Sequence, residues 1–202
     1  MLIKDKIITH AMSSWERLHG HGIGRRWRGA LDPMSILERA GLEPGKSLLD
    51  LGSGDGRFSL PAASIASRVH AVDISEEAIR SLREEASRRG LSNITASVAD
   101  VSGDLEFNEE FDIVLLANVL HGFVHSGSAD VVLENARRAL KPGGRLLVVE
   151  FRPDVGSPPG PPSSMRISPG ELSTLASRHG FDMVDRFEAG PFHYAAVFRK
   201  IV

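Results

Sequence analysis

Five runs dominated by apolar residues punctuate the middle of this chain, at Ser47–Leu51, Val69–Asp73, Asn93–Val98, Ile113–Ala117 and Arg145–Phe151. Their leucines, valines and isoleucines lie nearly side by side instead of alternating with polar residues, the pattern of strands buried on both faces. Helical stretches separate them, so the pattern predicts an α/β protein with a parallel sheet covered on both sides. Asp32-Pro33, followed by Ile36, Leu37, Ala40 and Gly41, reads as a cap, a first-turn proline, an apolar face and a glycine stop. Ser75 caps a second helix that runs to Arg89, with Glu76 and Glu77 in its first turn and basic residues in its last, matching the helix dipole. Pro61 falls where the helix after the first strand should run; it removes one N–H bond, to Arg57, and predicts a kink or a late start.

Beyond Phe151 the pattern changes. Pro153, Pro158, Pro159, Pro161 and Pro162 lie among Gly and Ser, predicting an extended loop over 152–167. Ser168 and Glu171 then have capping-box spacing for a helix ending at His179-Gly180. Phe181–Phe187 and Phe192–Lys200, joined near Ala189-Gly190-Pro191, read as a closing antiparallel hairpin.

At 202 residues, 42% of them hydrophobic, the chain has enough apolar surface for one good core, so residues 1–202 are expected to form a single domain. Its parts are a lead segment or lid (1–30), a core (31–151), the proline-rich loop (152–167) and the final helix and hairpin (168–202). A net charge of −2 gives no basic face for phosphate backbones, so nucleic acid is not expected as a partner. Arg25, Arg26 and Arg28 read either as a solvated cluster or as a clamp for an anion. Cysteine is absent, which excludes disulfides, thiolate metal sites and cysteine nucleophiles. Met1–Met12 lacks the continuous apolar run of a signal peptide and no run reaches membrane-span length, so a cytoplasmic protein is expected. His19 and His21 suggest a metal pair, but no carboxylate completes a set, and no metal is expected.

The chemistry concentrates where the first strand ends. Leu48-Leu49-Asp50-Leu51 leads into Gly52-Ser53-Gly54-Asp55-Gly56, and Asp73 closes the second strand 21 residues after Gly52. A strand turning sharply into a helix needs residues that tolerate positive φ, and a ligand lying on that turn needs positions without a Cβ. An acid about 20 residues on, after the next strand, is within reach of a ribose. The dinucleotide fingerprint G-x-G-x-x-G would put a third glycine where Arg57 stands. Asp50 would repel a pyrophosphate but suits a ligand carrying positive groups. The plain alternative is a tight strand-to-helix turn with no ligand.

Leu48–Gly56 resembles motif I of the class I S-adenosylmethionine-dependent methyltransferases, and Val72-Asp73-Ile74-Ser75 resembles the acidic loop that follows it. Val98–Val101 is similar to the adenine-side loop, Phe111–Asn118 to the fourth strand, and Leu140–Leu146 to the turn before the fifth. The C-terminal part resembles, more loosely, the ubiquinone/menaquinone-biosynthesis branch. The resemblance implies a Rossmann-like, doubly wound, mostly parallel sheet of seven strands ending in the antiparallel hairpin. It implies S-adenosylmethionine as cofactor, a small-molecule acceptor, and a monomer or homodimer.

Roles follow from what each cofactor group needs. Asp73 can accept two hydrogen bonds from vicinal hydroxyls. Asp100 can accept from the adenine amino group while the Val101 N–H donates to a ring nitrogen, and Ile74 covers one adenine face. By resemblance, Asp50, the Gly52, Ser53 and Gly54 backbone and Asn118 hold the methionine portion, with Gly56 completing the loop. For Asp100 and Asn118, ordinary loop polarity is the competing reading. Methyl transfer from a sulfonium is an in-line displacement and needs a base only if the acceptor arrives protonated. His121, just past the fourth strand, is the candidate; it reads either as catalytic or as a loop cap, and His125 can serve instead. Trp27, Phe123 and Arg152 are candidates for the acceptor wall, with Trp15 beside them, and core packing is the alternative for both tryptophans. Two rivals stand beside this reading: a nicotinamide-dependent oxidoreductase and a non-catalytic cofactor-binding module.

Overall fold

The computed structural model of the protein describes residues 31–156 and 160–201. In chain order these form α1 (Pro33–Arg39), β1 (Ser47–Leu51), α2 (Ser59–Ala63), β2 (Arg68–Asp73), α3 (Glu76–Arg88), β3 (Ile94–Val98) and β4 (Phe111–Ala117). There follow α4 (Leu120–Ser126), α5 (Ala129–Ala139), β5 (Leu140–Phe151), a 3-10 turn (Ser163–Met165), α6 (Pro169–Arg178), β6 (Phe181–Glu188) and β7 (His193–Lys200). The lead segment, with Trp15, His19, His21, the arginine cluster and Trp27, lies outside the described residues.

Seven strands make one sheet in the order β3-β2-β1-β4-β5-β7-β6. The first five pair in parallel, and β7 enters antiparallel between β5 and β6. This is the expected Rossmann-like sheet with its C-terminal hairpin. The chain winds outward through β2 and β3, then returns to start the other half at β4, so the crevice opens where β1 and β4 end side by side. All five residues of β1 are buried, as its continuous apolar run requires. Leu49 and Leu51 pack on one face with Val132, Leu133 and Leu172; Leu48 packs on the other with Ile36, Leu37 and Ala62.

Local capping is as the sequence dictates. Asp32 accepts from the Ser35 N–H, Ser75 from the Ala78 N–H, and Ser168 and Glu171 complete a reciprocal capping box. The helix after the glycine loop does start late: Pro61 stands in the first turn of the five-residue α2, where its missing N–H leaves nothing unpaired.

Three details differ from the sequence pattern. No helix lies between β3 and β4, because side chains of α5 satisfy that loop instead. The Asn135 amide donates to the Val101 and Gly103 carbonyls at 3.0 and 2.7 Å, and Arg138 to the Leu105 carbonyl. The strand expected at Arg145 begins at Leu140, which pairs with Phe111 before Lys141–Gly144 bulges out and pairing resumes at Ile113–Arg145. Lys141 Nζ, bonded to Asp112 Oδ2 at 2.8 Å, pins that bulge. The proline-rich loop contains a 3-10 turn. Among the described residues no helix is long and apolar enough to cross a membrane.

Candidate functional site

The glycine loop leaves β1 by continuing its ladder: the Gly52 and Ser53 N–H groups both donate to the Val72 carbonyl, at 2.8 and 3.0 Å. Ser53 stays buried in the turn. Gly52 has φ +79°, and a Cβ there would stand 2.7 Å from Val119 Cγ1, so glycine is required for the loop to press against the start of α4. Gly56, at φ +90°, does the same against Leu82 and Leu60 of the flanking helices. Gly54 differs: its φ is +54°, yet a Cβ would meet nothing within 4 Å. That open face is the cradle a ligand would fill.

Asp73 closes the cradle. Its Oδ2 accepts the Gly54 N–H at 2.7 Å and its Oδ1 the Ser75 N–H at 2.9 Å, so the carboxylate is aimed before any ligand arrives. An ionised carboxyl offers about four acceptor sites, and two remain for a pair of hydroxyls. Ile74, 43% exposed beside it, presents an apolar surface at the rim. Asp100 Oδ1 folds its own loop by accepting the Ser102 N–H at 2.8 Å, and Val101 is anchored beneath it.

Across the crevice, Asn118 takes φ +58°, a conformation uncommon for a residue other than glycine. Its N–H donates to the Val149 carbonyl at 2.7 Å, while its buried Oδ1 has no partner among the described residues. An orphaned buried acceptor of this kind suits an ammonium donor. Asp50 is buried under the loop and accepts from the Ser59 hydroxyl. Burial lifts its carboxyl to about 7; the Ser59 bond opposes this and the charge of Asp73 adds to it. The residues therefore fit a ribose at Asp73 and a cationic group between Asn118 and Asp50. They fit a pyrophosphate poorly, since the Gly54 N–H already serves a carboxylate.

The other rim adds to His121 three groups that the sequence pattern did not single out, Glu150, Arg166 and His193. His121 is buried and meets Glu150 twice: its backbone N–H donates to Oε1 at 3.1 Å, and its ring Nδ1 lies 2.8 Å from Oε2. Burial alone would pull the imidazole down, but the charge and hydrogen bond of Glu150 outweigh it despite Arg166, so the ring is held above its ordinary value. Arg166 gathers the loop after β5, donating to the carbonyls of Arg152, Val155 and Pro161 at 2.8, 2.7 and 3.0 Å. His193 packs on the Phe151 ring at 4.1 Å, and burial with the nearby Arg57 and Arg166 pushes it down to about 3. An acid inside the apolar run Val148-Val149-Glu150-Phe151 was the sequence signal that could have pointed to Glu150.

Of the proposed acceptor-wall residues, Phe123, within α4, packs partly buried against the core. Arg152 is engaged by Asp154 at 2.7 Å and by Glu188 at 2.8 Å. His125 is exposed in the last turn of α4. Among the described residues no group of three or more His, Cys, Asp or Glu is arranged to hold a metal.

Fold and crevice together define an open α/β sheet with a crevice at the carboxyl ends of β1 and β4. The methyltransferase-domain family matches residues 42–186, and the chain belongs to that family. The chain is 34% identical over 134 residues, 64% of its length and 51% of the relative's, to the ubiquinone/menaquinone biosynthesis C-methyltransferase UbiE of Paraburkholderia phytofirmans. It is 32% identical over 145 residues, 70% of its length and 52% of the relative's, to UbiE of Ectopseudomonas mendocina. The chain thus spans about half the length of the curated relatives it matches. Its fold superposes on an S-adenosylmethionine-dependent methyltransferase from Aquifex aeolicus with a TM-score of 0.79, covering 92% of this chain and 98% of that one at 20% identity. It also superposes on the [4+2]-cyclase SpnF with a TM-score of 0.72, covering 84% and 80% at 21% identity. It is of the class I S-adenosylmethionine-dependent methyltransferase type, and S-adenosylmethionine is the cofactor of that class.

Proposed function

We propose that this protein transfers a methyl group from S-adenosylmethionine to a ring carbon of a small hydroquinone-type acceptor. The single observation that carries the cofactor half is the carboxylate of Asp73, held by two backbone N–H groups beside the open face of Gly54. When bound, S-adenosylmethionine supplies a methyl carbon already activated by the positive charge of its sulfur. Asp73 would hold the ribose hydroxyls, Ile74, Asp100 and Val101 the adenine, and Asn118 and the Gly52–Gly54 backbone the amino-acid end. Asp50, its carboxyl lifted by burial to about 7, would ionise more fully beside a cation.

The acceptor class draws support from the relatives, which are C-methyltransferases of ubiquinone and menaquinone biosynthesis. A hydroquinone ring carbon becomes a strong nucleophile once a neighbouring hydroxyl loses its proton, and His121 would take that proton. Phe123, Arg152 and Trp27 would line the acceptor side, and residues 1–202 would act as one catalytic domain, monomeric or dimeric.

Two measurements test this. Calorimetry on the cofactor-stripped protein should give heat with S-adenosylmethionine and S-adenosylhomocysteine and none with NAD. Radiolabel from methyl-tritiated S-adenosylmethionine should enter 1,4-naphthohydroquinone. Absence of both signals would overturn the reading. Binding without transfer to any hydroquinone would favour the second reading, cofactor-dependent chemistry other than methylation, for which the fold shared with SpnF is the specific observation.

A further inference from the structure

Helix α4 begins at Leu120 with Val119 as its N-cap residue, a side chain with no oxygen to accept the orphan N–H groups of the first turn. Glu150, 29 residues further along the chain, supplies that acceptor: its Oε1 takes the His121 backbone N–H. The same carboxylate meets the ring through Oε2, so the two oxygens of one carboxyl hold one residue at its backbone N–H and at its ring Nδ1. Glu150 and His121 are each 1% exposed, which keeps water from competing for either bond.

We propose that Glu150 is the positioning residue of the acceptor side: it fixes the His121 imidazole with the proton on Nδ1 and the lone pair on Nε2, ready to accept a proton from an acceptor hydroxyl. The proposal rests on the reading of His121 as the proton acceptor. An ionised carboxyl can only accept hydrogen bonds, so Nδ1 must donate, and in the neutral ring the other nitrogen then carries the lone pair. In the step itself the acceptor O–H bond breaks, an Nε2–H bond forms, and the electron pair stays on the acceptor oxygen. The acceptor class that needs such a device is one that arrives protonated, a hydroxyl or phenol, in contrast to an amine or thiolate that is already a nucleophile.

The groups around the ring agree with this assignment. Glu150 faces it from β5, and Arg166 lies near it just after the 3-10 turn. Tyr194 of β7, the ladder partner of Glu150, stays protonated because burial, Glu150 and Glu171 all raise it, and its hydroxyl is bonded to the Ile167 carbonyl at 2.9 Å. Helix α5, packed against α4, directs Asp130 away from the site, onto His179 at 2.9 Å, with Glu134 beside it. Glu150 is therefore the acid that governs His121.

Long-range proton–nitrogen correlation spectra of the ¹⁵N-histidine-labelled full chain read the tautomer directly, without any acceptor. The His121 signals are assigned by their loss in His121→Gln. The wild type should show the Nδ1–H tautomer once the ring is neutral; a dominant Nε2–H tautomer would overturn the proposal even if no variant folds. In Glu150→Gln the ring should lose that single tautomer and titrate at lower pH. With 1,4-naphthohydroquinone as probe, kcat of Glu150→Gln should fall about 10²-fold. KM should hold, the acid limb should move to lower pH, and Glu150→Asp should bring the limb back. Unchanged kcat in Glu150→Gln beside an inactive His121→Gln would overturn the role of Glu150 alone. Full turnover in His121→Gln, with the expected spectrum, would overturn it by removing the proton-acceptor reading beneath it.

Discussion

The two rims of the crevice are built on opposite plans. At the β1–β2 rim the working parts are backbone: glycines in the left-handed region, N–H groups aimed at Asp73, and a loop that follows directly from its strand. At the β4–β5–β7 rim they are side chains brought from afar, with Glu150 on His121 and Arg166 gathering the loop carbonyls beside His193. On the proposed reading the first rim would hold the cofactor and the second would set charge and proton position at the acceptor.

Two buried groups, Asp50 at the first rim and His193 at the second, carry opposite pH dependences, and unmasking them is the largest expected effect. The Asp50 carboxyl is raised from 3.8 to about 7, so the folded state binds the proton more tightly and stability falls as pH rises between those values. His193 is depressed from 6.5 to about 3, so the unfolded state binds the proton more tightly and stability rises with pH over that window. Each is worth on the order of 4 kcal/mol, and in the wild type they largely offset one another. Asp50→Asn should therefore steepen the loss of stability toward acid, and His193→Leu should reverse it. Thermal melts from pH 4 to 8 would show both; parallel curves for all three proteins would contradict these charge environments.

Next comes Gly52→Ala, which adds a clash with Val119 to an unfavourable φ and should cost about 2–4 kcal/mol by denaturant melts. Gly54→Ala has the strain without the clash and should cost only about 1 kcal/mol in stability while weakening cofactor binding. Equal costs would mean that the loop does not press on α4. Asp73→Ala should weaken S-adenosylhomocysteine binding by about 1.5–3 kcal/mol for each lost hydroxyl bond, measured by calorimetry. The smallest effect sharpens the contrast: if Asp50 ionises on meeting the cofactor cation, binding at pH 6 should release protons, seen as a heat that varies with the buffer's ionisation enthalpy. Buffer-independent heat would detach Asp50 from the cofactor.

The caps at Asp32, Ser75 and Ser168 were legible in the sequence because each partner lies within three residues, where the chain's own geometry brings them together. The glycine loop and its distant acid were legible for a related reason, since parallel pairing of neighbouring strands brings Gly52 and Asp73 to the same sheet end. The missing helix before β4 was not legible, because α5, more than 30 residues away, satisfies the loop carbonyls that a helix would otherwise pair.

The sequence by itself determined the apolar strands, the helix caps and the glycine turn after β1, since those depend on local φ preferences and apolar spacing. Only the tertiary structure decided that an acid inside an apolar strand should face a histidine, and that Asp50 should lie under the loop with its charge suppressed. Hydrogen bonding and desolvation between elements depend on which side chains share a buried volume. That is settled when the sheet closes, not along the chain.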